Sequence, residues 1–179
     1  MYHTRIRTLL FTFGLALLLS ACASKDVEHY ADQGPTLRLQ DYFNGELEAW
    51  GMFQKRNGDV VRRFHVHIDA SWEGDVGTLD ERFTYADGST ERRVWTLVKQ
   101  SDGSWRGTAD DVTGEARGRV AGNAFHWQYT LQLPVDGRVW EVDFDDWMFL
   151  IDDQVMLNRA TMSKWGIRLG EVSLSFVKP

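Results

Sequence analysis

From Gly45 onward, apolar and polar residues alternate along the chain in segments of about ten residues. Gly, Asn, Asp and Pro separate the segments, and these residues favour tight turns. The period of two is typical of β-strands with one buried face, so the pattern predicts about ten strands. One helical turn is predicted around Leu37–Phe43. The turn signals stand at Asn57–Asp59, Glu73–Asp75, Asp87–Ser89, Ser101–Gly103, Gly122–Asn123, Pro134–Gly137 and Asp152–Asp153.

The same alternation assigns one face of each predicted strand to the interior. That face is rich in aromatic side chains, and it also carries two charged residues, Glu81 and Arg93. Small residues occupy the corresponding face of one strand (Gly114, Ala116 and Gly118), where either a close backbone approach or interior space for a ligand is expected. The predicted inward residues include Phe64, Val66, Ile68, Leu79, Glu81, Phe83, Tyr85, Arg93, Trp95, Leu97, Phe125, Trp127, Tyr129, Leu131, Leu133, Trp140, Val142, Phe144, Val172, Leu174 and Phe176.

Short connections between neighbouring strands indicate an antiparallel up-and-down meander. Such a sheet must bury its apolar face, and closing into a barrel also removes its exposed edges. We therefore predict an all-β, lipocalin-like barrel formed by a single domain, residues 37–179. At this strand number a barrel is either filled by side chains or wide enough for one small ligand. A two-sheet β-sandwich is the alternative that the pattern leaves open.

The first 21 residues have the features of an export signal. Arg5 and Arg7 precede the apolar stretch Leu9–Leu19, which is shorter than the roughly 20 residues that a permanent transmembrane helix needs. The tetrapeptide Leu19-Ser20-Ala21-Cys22 matches a bacterial lipobox, so Cys22 is predicted to become the lipid-modified N-terminus. An ordinary signal peptide with an incidental cysteine is the alternative.

A lipidated Cys22 would attach the mature protein to a membrane through acyl chains such as palmitate, since more than one chain is needed for durable attachment. Ala23 follows the cysteine, which by resemblance to enterobacterial sorting rules favours the outer membrane, with the domain facing the periplasm. Residues 22–36 are mostly polar and are predicted to form a flexible tether. Cys22 is the single cysteine of the chain, so no disulfide is expected.

Charge limits the partners that this domain can bind. The chain has 20 Lys and Arg against 26 Asp and Glu, a formal net charge of −6, and removing Arg5 and Arg7 with the signal makes it two units more negative. An acidic surface argues against nucleic acid as a partner. Eight tryptophans supply either a large core or an aromatic cavity.

Three segments resemble one protein family. Ala49-Trp50-Gly51-Met52, the run Gly107–Gly118 and Asp145-Asp146-Trp147-Met148-Phe149 look like the proteobacterial lipoproteins grouped as domain of unknown function 3833. The likeness extends from about Leu39 to Val177 and includes the lipobox. The resemblance implies lipoprotein status but no established activity. Members tend to be encoded near enzymes that modify fatty acids, which favours a lipid-related role.

No catalytic, metal or cofactor motif stands out in the sequence. The acidic run Asp143, Asp145, Asp146, Asp152 and Asp153 lacks EF-hand spacing, and adjacent Asp145 and Asp146 would point to opposite faces of a strand, so solvated carboxylates are expected there. Three of the five histidines, His65, His67 and His126, fall on polar strand faces and are expected at the surface. No serine lies in a Gly-x-Ser-x-Gly elbow, and no cofactor is expected.

The candidate site is therefore the predicted interior. Glu81 and Arg93 lie on adjacent strands, where they either form an internal salt bridge or leave Arg93 to hold a ligand carboxylate, assisted by the hydroxyl group of Tyr85 or Tyr129. The predicted ligand-binding residues are Phe83, Tyr85, Arg93, Trp95, Phe125, Trp127, Tyr129, Trp140 and Phe144, with Glu81 and Arg93 as the polar anchor.

Three functions remain open at this stage. The first is a non-enzymatic barrel that binds or shields a fatty acid or another apolar molecule. The second is an envelope scaffold with a solid core, whose protein partner the sequence does not identify. The third is a hydrolase or isomerase acting on lipid, which would need a buried carboxylate with a strongly perturbed pKa facing a cavity.

Overall fold

Ten antiparallel strands dominate the structure, a computed structural model that describes residues 26–135 and 137–179. The strands are β1 (Gly45–Lys55), β2 (Val60–Glu73), β3 (Val76–Tyr85), β4 (Thr90–Lys99), β5 (Trp105–Thr108), β6 (Val112–Ala121), β7 (Ala124–Val135), β8 (Arg138–Leu150), β9 (Val155–Lys164) and β10 (Ile167–Val177). One short helix, α1 (Leu39–Tyr42), precedes them, in the place where a helical turn was predicted.

Each strand pairs with its neighbours in the chain, and β1 also pairs with β10, so the sheet closes into a barrel. In the closing pair Gly51 lies opposite Leu174, and on the other side of β1 it lies opposite Phe64. This topology confirms the predicted up-and-down barrel over the sandwich. Every strand has two partners, and the inward apolar faces of the strands pack into one core.

The segment around α1 covers one end of the barrel, which we call the closed end. Leu37 and Leu39 are buried there. The hydroxyl group of Tyr42 donates to the carbonyl oxygen of Gln154 at 3.0 Å, and the indole N–H of Trp72 donates to that of Phe43. These bonds tie the cover to the turn after β8 and to β2, so the interior is reached from the opposite end, the mouth.

Part of the predicted tether is packed against the barrel. Residues 27–30 form a 3₁₀ turn in which Val27 is buried against Ala121 and Ala124. The ring of Tyr30 contacts that of Phe149 at 5.0 Å. Val27 and Tyr30 thus dock at the β6–β7 turn, so this short part of the predicted tether lies against the barrel. The predicted signal 1–21 and the lipidation site Cys22 lie outside the described residues.

Glycines opposite aromatic residues decide how close the rings lie to the wall. Trp127 lies directly across from Gly118, and its indole also covers Gly107. A Cβ atom built at either glycine would lie 2.6 Å from an indole carbon. Gly118 therefore allows a close aromatic contact along the wall. Gly114 is exposed, and a Cβ atom built there would have no atom within 4 Å.

No helix in residues 26–135 and 137–179 has the length and apolar character needed to cross a membrane.

Candidate functional site

A cavity of about 980 Å³ lies inside the barrel and opens at the mouth. This volume is at the upper end of the roughly 300–1,000 Å³ typical of small-molecule sites. Of the residues predicted to bind a ligand, eight line it together with the predicted anchor Glu81: Phe83, Tyr85, Arg93, Trp95, Phe125, Trp127, Tyr129 and Phe144.

The aromatic side chains form a connected inner wall. Trp95 contacts Trp127 at 5.9 Å and Tyr129 at 5.3 Å between ring centroids. Tyr129 in turn stacks on Phe144 at 4.9 Å, and Trp127 contacts Phe125 at 5.2 Å. Because each ring is held by the next, the wall is already formed before any ligand enters.

Trp140 is the exception among the predicted ligand-binding residues. It shares the face of Val142 and Phe144, but it does not line the cavity and its side chain is exposed. The ammonium group of Lys164 lies 5.0 Å from the centre of its ring. Trp140 lies near the free end of the β7–β8 hairpin opposite Leu133, which does line the cavity, so the phase of the strand does not by itself decide which side chain enters the interior.

Arg93 is already paired inside the barrel. Its Nη2 donates to Oδ2 of Asp111 at 2.7 Å, and its Nε donates to both carboxylate oxygens of that residue. Its Nη1 also lies 3.8 Å from Oε2 of Glu81, its partner across β3 and β4. The predicted internal ion pair is thus present, but the dominant partner is Asp111, which the sequence did not indicate.

This pairing argues against Arg93 as the anchor of a ligand carboxylate. A ligand carboxylate would have to compete with the bidentate ion pair between Arg93 and Asp111, and it would also approach the carboxyl group of Glu81. The two tyrosine hydroxyls predicted to assist are also unsuited to that role. Tyr85 donates to Glu91 at 2.5 Å near the mouth, whereas Tyr129 lies beside a different buried carboxylate, Asp146.

Asp146 is the main site residue that sequence reasoning missed. It is 5% exposed, it lines the cavity, and it is joined there by Asn158, which is 7% exposed. Asp145 does point to the opposite face, as expected, and contacts His126 at 2.5 Å. Asp146 is in phase with inward-facing Phe144, so the alternation of β8 was a usable signal.

Burial raises the pKa of Asp146 from 3.8 to about 7. The nearby hydroxyl of Tyr129, the amide of Asn158 and the charge of Arg93 lower it only in part. Burial likewise raises the pKa of Glu81 from 4.5 to about 7, against the lowering effect of Arg93. The cavity therefore contains two carboxyl groups that change charge near neutral pH.

Two atoms of this pocket lack a hydrogen-bond partner within the described residues: Oδ1 of Asp146 and Nδ2 of Asn158. The side-chain amide of Asn158 lies close enough to the Asp146 carboxyl to lower its pKa. Buried polar atoms in native proteins nearly always have a partner, and the exceptions often mark functional sites. We call Asp146, Asn158 and Tyr129 the Asp146 pocket.

The mouth is lined by polar residues and flanked by exposed apolar ones. The guanidinium carbon of Arg62 lies 3.3 Å from the ring centre of Tyr85, and its Nη2 donates to Oγ of Ser89 at 3.1 Å. Val139, Trp165 and Ile167 are exposed on the hairpins at this end. The entrance thus combines a cation with an apolar rim.

The predicted surface histidines lie outside the barrel and contact carboxylates. Glu48 accepts contacts from His65 at 2.6 Å and from His67 at 2.8 Å. A group of three possible metal ligands, Glu46, His67 and Asp69, is also on this face. His67 is held by Glu48, and that hydrogen bond is the main reason that its pKa is raised.

The predicted acidic run is dispersed by the fold. Asp143 is exposed and accepts a hydrogen bond from Thr130 at 2.9 Å, and Asp152 accepts from backbone amides of its own turn. Only Asp146 of this run enters the cavity. Solvated carboxylates were therefore the right expectation for Asp143, but the wrong one for Asp146.

Comparison with known proteins gives one family match. A family model described as protein of unknown function (DUF3833) matches residues 16–178. A search of curated proteins found no match.

Proposed function

The chain belongs to the family of proteins of unknown function DUF3833, and we propose that its barrel binds one small apolar molecule. The observation that carries this proposal is the cavity of about 980 Å³, which is walled by aromatic side chains and opens at the mouth. A solid-cored scaffold, the second function considered from the sequence, has no support from this interior.

The driving force follows from the lining. Transfer of apolar surface out of water contributes roughly 25 cal/mol per Å². Trp95, Trp127 and Phe144 supply such surface in fixed positions, since each is held by another ring. A pre-formed site avoids the ordering cost that weakens binding by mobile side chains.

We also propose that Cys22 is lipidated and anchors the barrel at the outer membrane, with its mouth in the periplasm. The lipobox supports the anchor, and Ala23 supports the location. The chain enters the barrel at the closed end, where Val27 packs against the β6–β7 turn. Such an anchor would leave the mouth free to receive a fatty acid or another apolar molecule released from lipid.

A fluorescent apolar probe tests binding directly. The chain from residue 23 to 179 is titrated with N-phenyl-1-naphthylamine, whose emission rises in apolar surroundings. Ala160→Trp places an indole inside the cavity, because Ala160 is 2% exposed and lines it. Leu157→Trp is the matched control, since Leu157 belongs to the same strand and is 47% exposed on the outer face.

We expect saturable one-to-one binding by the natural chain and by Leu157→Trp. Ala160→Trp should weaken binding by at least about tenfold, since lost apolar contacts of about 1.4 kcal/mol correspond to that factor. Equal binding by all three proteins would place the probe outside the cavity, and absence of binding to the natural chain would reject the proposal.

A lipid-acting enzyme is the second candidate, and the buried carboxyls favour it. Asp146 and Glu81 both have a pKa of about 7 in an apolar cavity, the condition set above for acid–base chemistry. Ser89, a hydroxyl residue of the lining, lies at the mouth with its Oγ bonded to Asp87. Conversion of bound lipid by the natural chain, with loss of conversion in Asp146→Asn, would favour the enzyme over a binding protein.

A further inference from the structure

The Asp146 pocket presents one acceptor and one donor that the protein leaves unsatisfied. Oδ1 of Asp146 and Nδ2 of Asn158 lack partners within the described chain, and both residues line the cavity. They lie on adjacent strands, where Asp146 is opposite Ala160 and Asn158 is opposite Met148. Both residues line the cavity, but the two atoms themselves have almost no exposed surface, so a ligand reaches them only when the two side chains rotate toward it.

The chemistry of the two atoms narrows the class of ligand. A hydroxyl group can donate to a carboxylate oxygen and accept from an amide N–H through the same oxygen atom. A carboxylate ligand has no proton to donate and would face the charges of Asp146 and Glu81. The nearby cation, Arg93, is already engaged by Asp111. An ammonium group could donate to Asp146 but could not accept from Asn158.

We propose that the ligand is an apolar molecule carrying a hydroxyl group, which donates to Oδ1 of Asp146 and accepts from Nδ2 of Asn158. This inference rests on the proposed function, because it assumes an apolar body in the cavity. It replaces an anchor for a ligand carboxylate at Arg93 with an anchor for a ligand hydroxyl group on β8 and β9.

Four probes of equal chain length separate the headgroups: decanol, decanoate, decylamine and decane. Each is titrated into the chain from residue 23 to 179 at pH 8, where both buried carboxyls are mainly ionised. Quenching of tryptophan emission reports binding, since Trp95 and Trp127 line the cavity. We expect decanol to bind at least about tenfold more tightly than decanoate or decane.

Two variants assign the preference to the pocket. Asn158→Leu removes the donor, so it should weaken decanol binding by about tenfold and leave decane unaffected. Asp146→Asn removes the negative charge, so it should reduce the preference for decanol over decanoate by a similar factor. Asp143→Asn is the matched control, because Asp143 lies on the outer face of the same strand and is exposed.

The outcomes distinguish this inference from the proposed function. Equal affinity for decanol, decanoate and decane, or tightest binding of decanoate or decylamine, overturns the hydroxyl assignment while leaving an apolar binding site. An unchanged preference in both pocket variants overturns it as well. If none of the four probes binds, and N-phenyl-1-naphthylamine does not bind either, the proposed binding function itself is rejected.

Discussion

Replacing Asp146 with asparagine should change how the stability of the barrel depends on pH. Burial raises the pKa of this carboxyl from 3.8 to about 7 in the folded protein. Below its ordinary pKa the group is protonated in both the folded and the unfolded chain, so it carries no ionisation penalty. As the pH rises, the unfolded chain ionises first, and the folded state loses stability until the pH passes about 7.

The size of the effect follows from the pKa. Each pH unit over which only the unfolded chain is ionised costs about 1.4 kcal/mol. Between pH 5 and pH 7 the natural protein should therefore lose on the order of 3 kcal/mol through Asp146, a loss that Asp146→Asn avoids. Glu81 acts in the same direction and remains in the variant. The comparison between the two proteins isolates the contribution of Asp146.

Urea unfolding at pH 5 and pH 8, followed by tryptophan fluorescence, measures this difference. The unfolding free energy of Asp146→Asn minus that of the natural chain should rise by on the order of 3 kcal/mol from pH 5 to pH 8. The control Asp143→Asn should stay within roughly 0.5 kcal/mol at both, since Asp143 is exposed. A pH-independent difference between Asp146→Asn and the natural chain would refute burial of this carboxyl.

Three further variants test the packing by urea unfolding. Gly118→Ala should lower the free energy of unfolding by roughly 1–3 kcal/mol, because the new Cβ would lie 2.2 Å from the carbonyl oxygen of His126. An unchanged urea midpoint would contradict this close contact. Arg93→Met should cost roughly 3–5 kcal/mol by leaving Glu81 and Asp111 unpaired, and a neutral result would place these groups in water. Trp165→Ser should change stability by less than about 0.5 kcal/mol, because Trp165 is 83% exposed, and a large loss would indicate a contact at the mouth.

The strand pattern could be predicted because burial repeats with the period of the strand. In β2, Phe64, Val66 and Ile68 face inward while His65 and His67 face outward, as the alternation required. Closure between β1 and β10 could not be read in the same way. It depends on a register between the two ends of the domain, with Gly51 opposite Leu174, and no local pattern encodes that pairing.

The polar part of the site was predicted only where charge and face were considered together. Glu81 and Arg93 were identified because both are charged and inward-facing. Asp146 shares the inward face of Phe144, but its position in an acidic run led to the expectation of a solvated group. Asp111 precedes β6 rather than lying within a strand, so no alternation could place it beside Arg93.

The empty volume is also a tertiary property. The sequence predicted aromatic inner faces, but whether their rings cross the interior or lie along its wall depends on the residues opposite them. Gly107 and Gly118 allow Trp127 to lie close to the wall. A larger residue at either position would move the indole toward the cavity, so two glycines on other strands help to decide whether a ligand can enter.

A crystal structure of residues 23–179 grown with decanol tests the central claim most directly. We expect continuous density for one molecule within the cavity, with its chain against Trp95 and Trp127 and its oxygen between Asp146 and Asn158. A barrel whose aromatic rings meet across the interior, or a decanol molecule bound only on the outer surface, would contradict a ligand-binding interior.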